Sequence, residues 1–348
     1  MKKLIILLFA LLFTACGRAN ENKDVSMENG KLDVYASVYP VYDLTKKIGG
    51  DKINLSMLVK PGEEAHHYEP STDDIKNLSK ADLFIYNGSG LESWTEKVLS
   101  SMPELKSLEA SENVDLIVSD HDHNHDHDHE HDHDHNYDEE NHKHNHEANE
   151  VDSHNESQNH EDEHEYGLES THHHGSYDPH TWLSLKNAKI ELENIKNKLS
   201  EIDKENASYY EDNFKTYADK LDELDKRYEE TLKNAKSKTF VVTHEAFGYL
   251  CRDYNLKQLP IKNVNNSGEP DPKTMAQIID FIKANNIKYI CAEDMVNTKI
   301  AETIKAETGA EIVILSPLES LNEDQIKNNE DYLSVMEENL RVLNEVLN

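Results

Sequence analysis

The sequence predicts two similar α/β lobes with mainly parallel sheets, joined by one long rigid helix. Two observations carry this prediction. Apolar segments of strand length alternate with helical ones over residues 31–118 and again over 237–348, as in parallel sheets covered by helices. Between these regions, residues 183–236 have helical periodicity and contain neither Gly nor Pro.

In the first lobe, apolar runs predict strands, and Gly, Pro and capping residues mark the ends of elements. Gly49-Gly50 ends the first helix, Pro61-Gly62 follows the second strand, and Ser71 or Thr72 caps the second helix. The predicted elements are strands at Lys31–Val38, Ile53–Val59, Ala81–Tyr86 and Leu116–Val118, and helices at Val41–Ile48, from Ser71 onward, and at Trp94–Ser100.

The connecting region, which with the remainder of the first lobe covers residues 177–236, is predicted to break at Asp203-Lys204. Its second helix, from Ala207 to about Lys236, would form a rod of about 45 Å at 1.5 Å per residue. Its apolar side chains recur every three or four residues, at Tyr210, Phe214, Tyr217, Leu221, Leu224, Tyr228 and Leu232. A coiled-coil dimer would use the same stripe, but the similar flanking lobes favour an intramolecular strut.

The second lobe repeats the strand and helix alternation, with Gly309 ending one of its helices. The predicted elements are strands at Thr239–Thr243, Ile287–Ala292 and Ile312–Leu315, and helices at Glu245–Tyr254, Thr274–Asn285, Thr298–Thr308 and Asp331–Leu347. Two such lobes leave a cleft, and ligands of parallel sheets sit at the carboxyl ends of the strands.

The first 16 residues are typical of a bacterial lipoprotein signal. A basic start precedes ten apolar residues, Leu4–Phe13, which are too few to span a bilayer. Thr14-Ala15-Cys16-Gly17 resembles a lipobox, although Phe13 stands where Leu is usual, so we expect cleavage before Cys16 and a lipid on it. An ordinary signal peptide is the alternative. Residues 17–30 would then tether an extracytoplasmic protein to the cell membrane.

Charge and cysteine content narrow the function further. The formal net charge of −33 argues against nucleic-acid binding, which needs Lys and Arg at phosphates. Apart from Cys16, the chain has only Cys251 and Cys291, and their spacing does not decide whether they form a disulfide.

Residues 119–176 are predicted to form a disordered loop rich in His and Asp. Histidines occupy alternate positions at its start, namely His121, His123, His125, His127, His129, His131, His133 and His135. Neutral imidazole suits Zn, Ni and Cu, so we expect this loop to capture metal weakly and at many sites. A solvated loop without any metal role is the alternative.

A few isolated residues outside that loop could form a tighter site. His66 and His67 follow a strand and a turn, His180 begins the connecting region, and His244 and Glu319 each follow a strand of the second lobe. All occupy loops at strand ends or at a lobe boundary, where a cleft collects side chains.

Five motifs make the chain similar to a known family. They are Pro61-Gly-Glu-Glu-Ala-His-His-Tyr-Glu-Pro-Ser, Ala81-Asp-Leu-Phe-Ile-Tyr-Asn-Gly-Ser-Gly-Leu-Glu-Ser-Trp, Asp178-Pro-His-Thr-Trp-Leu-Ser, Thr243-His-Glu-Ala-Phe-Gly-Tyr-Leu and Ser316-Pro-Leu-Glu. Over residues 31–348 the chain resembles the ZnuA/AdcA-type zinc receptors of ABC transporters, within the cluster A-I solute-binding proteins. The resemblance implies zinc bound between the lobes, an ABC permease and its ATPase as partners, and no enzymatic activity; we expect a monomer.

The resemblance also implies a ligand set: His66, His180, His244 and Glu319. His67 is an alternative first ligand, because the family usually has Pro-His-Asp-Tyr where this chain has Ala-His-His-Tyr. Three imidazoles and a carboxylate suit four-coordinate Zn²⁺, whereas manganese relatives have a carboxylate at the position of His244. The Glu293-Asp294 pair also resembles a family feature, but no metal contact is assigned to it.

Other functions remain as alternatives. The chain could be a receptor for Mn, Ni or Cu, since affinity alone does not exclude the latter two at nitrogen ligands. It could be a metal-buffering lipoprotein or an adhesin in which the His-rich loop is the functional part. A zinc hydrolase is disfavoured, because His244-Glu245 lacks the second His of H-E-x-x-H, and position 248 is Gly.

Overall fold

The computed structural model describes residues 30–119, 177–262, 272–293 and 299–348. These contain two parallel sheets with helices around them, so the predicted fold class is confirmed. The strands are β1 (Leu32–Ala36), β2 (Ile53–Met57), β3 (Leu83–Tyr86), β4 (Ser107–Glu109), β5 (Thr239–His244), β6 (Lys257–Lys262), β7 (Tyr289–Ala292) and β8 (Glu311–Ile314). The α-helices are α1 (Tyr39–Gly49), α2 (Thr72–Leu78), α3 (Thr95–Ser101), α4 (Leu185–Ile202), α5 (Ala207–Leu232), α6 (Gly248–Tyr254), α7 (Pro272–Ala284), α8 (Lys299–Thr308), α9 (Glu323–Lys327) and α10 (Tyr332–Val346).

Cys16 and the His121–His135 run, with the predicted signal, tether and His-rich loop around them, lie outside the described residues. Within the described part of the chain, no helix combines the length and the hydrophobicity needed to cross a bilayer.

The two sheets have the same strand order. The first runs β2-β1-β3-β4 and the second β6-β5-β7-β8, with every pairing parallel. In each sheet, the strand that comes first in the chain (β1 or β5) lies in the interior of the sheet. The second strand (β2 or β6) pairs with one of its edges, and the third strand (β3 or β7) pairs with its other edge. This arrangement creates a switch point between β1 and β3 and another between β5 and β7. Ligands of open parallel sheets bind outside the carboxyl ends of strands at such points.

One apolar core is shared by both lobes. It runs from Leu32 on β1, through Leu192 on α4 and Leu221 on α5, to Phe240 on β5 and Leu343 on α10, all of them almost completely buried. Smaller clusters cover the outer face of each sheet. Burial of this much apolar surface favours a fixed arrangement of the two lobes.

The long helix α5 belongs to this shared core. Its 26 residues span about 39 Å, and it packs against α1, α4 and α10. Its buried residues are Tyr210, Tyr217, Ala218, Leu221, Leu224, Tyr228 and Leu232. Contacts within the chain therefore cover the predicted apolar stripe, as expected of a strut. The Tyr228 hydroxyl adds a buried hydrogen bond to the backbone oxygen of Met336 on α10, at 2.6 Å.

The sequence located most element boundaries within a few residues, but two strands were missed. The predicted strand at Leu116–Val118 is wrong: Val118 makes only an isolated antiparallel bridge with Tyr177, and β4 instead lies at Ser107–Glu109. Its three residues are too few for a hydrophobic pattern. The edge strand β6 was also missed because Pro260 interrupts it, and proline is tolerated in strands mainly at edges.

Candidate metal centre

The loop after β2 brings His66, and not His67, to the carboxyl ends of the strands. Gly62 turns the chain with a φ of 87°, and its N–H donates to Ser320 Oγ of the second lobe at 3.1 Å. His66 Nε2 lies 3.2 Å from His180 Nε2. His67 instead points to solvent, where its Nδ1 lies 2.5 Å from Glu64 Oε2.

His180 is fully buried and is oriented by Asp178. Asp178 Oδ1 accepts a hydrogen bond from the His180 backbone N–H at 3.0 Å and lies 2.7 Å from the ring Nδ1. This contact assigns the ring proton to Nδ1 and directs Nε2 toward the other candidate ligands. The sequence alone does not reveal this role. The available signal was a carboxylate two residues before a candidate ligand.

Gly248 at the start of α6 leaves room for that carboxylate. A Cβ at position 248 would lie 2.4 Å from Asp178 Oδ2, which is closer than atoms can approach. The Tyr249 hydroxyl also donates to the backbone oxygen of Asp178 at 2.8 Å. Gly248, which removes the second His of an H-E-x-x-H motif, thus has a packing role beside the orienting carboxylate.

His244 and Glu293 meet because their strands are parallel neighbours. β5 ends at His244, and β7 ends one residue before Glu293. His244 Nε2 lies 3.2 Å from His180 Nε2, while its Nδ1 lies 3.7 Å from Glu293 Oε1. Glu293 therefore lies behind this imidazole, a proximity that the sequence alone does not reveal. Asp294 lies outside the described residues.

Glu319 follows β8 in a loop that is fixed on two sides. The Asn339 side chain accepts from the Ser316 N–H at 2.9 Å and donates to the Ser316 carbonyl at 2.8 Å. The Trp182 indole N–H donates to the carbonyl oxygen of Pro317 at 2.8 Å. Glu319 Oε1 is thereby held 3.2 Å from His180 Nε2, and 3.4 Å from the ring nitrogen of His66.

The four side chains form one compact group of ligand atoms. Each of His66, His180, His244 and Glu319 offers an atom within 4.8 Å of all the others. A tetrahedral Zn²⁺ with ligands near 2.05 Å requires ligand atoms about 3.3 Å apart. Four of the six separations in the group, at 3.2, 3.2, 3.2 and 3.4 Å, fit that value, and the other two are within 4.8 Å.

The electrostatics of the group also favour a cation. His180 Nε2 faces the Glu319 carboxylate and two other ring nitrogens, so this position holds either a proton or, when that proton leaves, a metal cation bound to the Nε2 lone pair. Burial lowers the pKa of His180, but its hydrogen bonds with Asp178 and Glu319 outweigh burial and raise the pKa to about 10. Burial alone would raise the pKa of Glu319, whereas the contacts with His180 and His66 hold it well below its usual range. A shared positive charge is what this arrangement stabilises.

The two remaining cysteines take no part in the group. Cys251 on α6 and Cys291 on β7 are both buried free thiols, so no disulfide joins them in this structure. Burial raises the pKa of each thiol to about 12. Neither is poised as a thiolate ligand.

The chain is similar in sequence to proteins whose names describe zinc binding or zinc uptake. The sequence profile of a family described as "Zinc-uptake complex component A periplasmic" (ZnuA) matches residues 34–346. The chain is 33% identical over 346 residues to the zinc-binding lipoprotein AdcA of Streptococcus pneumoniae (strain ATCC BAA-255 / R6), covering 99% of this chain but only 60% of that relative. It is also 33% identical over 339 residues to the high-affinity zinc uptake system protein ZnuA of Bacillus subtilis (strain 168), covering 97% of this chain and 94% of that relative.

A solved structure resembles the fold as well. The crystal structure of the Zn(II)-bound ZnuA-like domain of Streptococcus pneumoniae AdcA has a TM-score of 0.69 and 32% sequence identity. The match covers 91% of this chain and 99% of that one.

Proposed function

The chain belongs to the ZnuA family of zinc-uptake components, and we propose that it is a receptor that captures Zn²⁺ outside the cytoplasm and delivers it to an ABC permease. The observation that carries the proposal is the convergence of His66, His180, His244 and Glu319 at separations that match a zinc tetrahedron. In this proposal Zn²⁺ is the cargo, held by three imidazole nitrogens and one carboxylate oxygen.

The donor set supports zinc over manganese and argues against catalysis. Three nitrogens and one oxygen suit a borderline ion, whereas Mn²⁺ prefers oxygen ligands. A catalytic zinc keeps an open position for water, and here Glu319 would fill the fourth position. We therefore propose a binding protein without enzymatic activity. Ni²⁺ and Cu²⁺ are the competing metals, since they rival zinc at nitrogen ligands.

The test is a measurement of zinc content and competition affinity on the mature chain and on a variant lacking residues 120–175. One tight zinc per chain in both proteins, weakened in His66→Ala, His180→Ala, His244→Ala and Glu319→Ala, is the expected result. Loss of tight binding on deleting residues 120–175 would shift the function to the His-rich loop. Tighter binding of Ni²⁺ or Cu²⁺ than of Zn²⁺ in a matched competition would replace the proposed cargo.

We also propose that the chain acts at the membrane surface as a lipoprotein. The signal-like start, the lipobox-like residues around Cys16 and the name of the pneumococcal relative support lipidation. The expected result is partition of the mature protein into a detergent phase, which Cys16→Ser abolishes. Equal partition of both proteins would contradict the anchor. In this proposal the His-rich loop gathers metal for the tight site. The partners of the whole protein are an ABC permease and its ATPase.

A further inference from the structure

His180 is the central ligand of the proposed zinc site, and its position determines the geometry of the whole group. Its Nε2 lies 3.2 Å from each of the other three ligand atoms. The residues around it, Asp178 to His180, belong to no helix or strand. Asp178 orients the ring, but Asp178 lies on the same short segment. Something outside the segment must therefore hold it in place.

Asn87 from the first lobe contacts both neighbours of His180. Its Nδ2 donates to the carbonyl oxygen of Pro179 at 2.9 Å, and its Oδ1 accepts from the Thr181 hydroxyl at 3.2 Å. The side chain is completely buried directly after β3, at the switch point of the first sheet. One side-chain amide thus forms hydrogen bonds with the residues immediately before and after the central ligand.

Asn87 is itself fixed by a buried carboxylate. The backbone N–H groups of Asn87 and Gly88 donate to the two carboxylate oxygens of Glu92 at 2.8 and 3.0 Å, and the Ser37 hydroxyl donates to Glu92 at 2.5 Å. The Asn87 carbonyl accepts from the Ser111 N–H at 3.1 Å. Every hydrogen-bonding group of the Asn87 backbone is used, so the side chain starts from a rigid position.

We propose that Asn87 is a positioning residue for the metal ligand His180, setting its place relative to the other three ligands. The proposal rests on the proposed zinc-binding function. The asparagine side chain carries a hydrogen-bond donor (Nδ2) and an acceptor (Oδ1) on the same terminal amide. Aspartate would face the Pro179 carbonyl with an oxygen instead of an N–H, and alanine would remove both side-chain contacts to Pro179 and Thr181. Residues that orient metal ligands typically change metal affinity 10- to 100-fold when replaced.

The experiment compares Asn87→Asp with a matched asparagine elsewhere in the same lobe. Asn194 donates to the carbonyl oxygens of Ala110 and Glu112 at 3.0 and 2.8 Å but does not touch the His180 segment. Zinc affinity is measured by competition on the full mature chain, alongside thermal unfolding without metal. The visible spectrum of the Co²⁺-loaded protein reports coordination geometry. Asn87→Asp is expected to weaken zinc binding 10- to 100-fold and alter the cobalt spectrum, whereas Asn194→Asp changes only unfolding.

The outcomes separate the two proposals. If the wild-type chain binds no tight zinc, the proposed function fails. If it binds zinc and folded Asn87→Asp keeps wild-type affinity and cobalt spectrum, or if both asparagine variants weaken zinc alike, the positioning role is overturned. If Asn87→Asp does not fold, Thr181→Val decides, because it removes one of the two contacts at nearly constant volume. In Thr181→Val, zinc binding weakened by less than 10- to 100-fold together with an altered cobalt spectrum supports the positioning role. Wild-type zinc affinity and cobalt spectrum in this variant refute it.

Discussion

Replacing Gly248 with alanine is expected to weaken zinc binding although position 248 contacts no proposed ligand. The new Cβ would lie 2.4 Å from Asp178 Oδ2, and an ordinary contact begins at 3.4 Å, so the carboxylate must retreat by about 1 Å. The 2.7 Å contact between Asp178 Oδ1 and His180 Nδ1 would then exceed hydrogen-bond length. Loss of a carboxylate that orients a metal-binding His costs about 10- to 100-fold in affinity.

The assay is a zinc competition titration of Gly248→Ala, with Gly309→Ala as the control. Gly309 has a φ of 75° and open space around its Cα, so alanine there strains the end of α8 by about 1 kcal/mol without reaching the site. In an Asp178→Ala background, Gly248→Ala should have no additional effect, because the group it displaces is gone. Wild-type affinity of the single Gly248→Ala variant, or full additivity with Asp178→Ala, would refute the reasoning.

Three further outcomes are expected. His66→Ala should raise the zinc dissociation constant more than about tenfold while His67→Ala leaves it unchanged, since only His66 lies in the ligand group; equal effects in a competition titration would contradict this. Zinc affinity should fall as pH is lowered from 8 to 5, most steeply below about pH 6, because protons compete for the imidazoles. Contacts with two carboxylates outweigh burial and raise the pKa of His180 to about 10, so this competition extends to neutral pH, and a flat profile would contradict it. Finally, burial raises the pKa of Glu191 from 4.5 to about 8, so its contribution to stability is full below pH 4.5 and is lost as pH rises through 8. Glu191→Gln should remove this slope, a difference on the order of 3–5 kcal/mol in urea unfolding of the metal-free protein, and parallel profiles would contradict it.

The sequence predicts the fold well where local chemistry agrees with the final structure. Ser71 forms the predicted helix cap, with its hydroxyl accepting from the Asp74 N–H, and Asp203 ends α4 at the predicted break. The prediction fails where a segment becomes a strand only because it pairs with a neighbouring strand. Leu108 is the one buried residue of β4, and three residues pair only because β3 already lies beside them.

The candidate site shows the same division. The four proposed ligands could be named from the sequence because its motifs resemble those of a known family, in which these positions hold the metal. Glu293 and Asn87 could not be connected to them, because each is brought near the ligands by a strand pairing or a turn that only the folded chain creates. Both residues lie in segments that resemble the family, but the resemblance does not say what either side chain contacts.

The shared apolar core has a consequence for the kinetics of metal exchange. Separating the lobes would expose buried side chains such as Leu221 and Phe240, which costs free energy. His66 lies on a loop of the first lobe, and the Gly62 N–H of that loop donates an exposed hydrogen bond to Ser320 in the second lobe. Movement of this loop offers a lower-energy route for the ion, so the residence time of zinc should follow the stability of residues 61–70 rather than that of the whole protein.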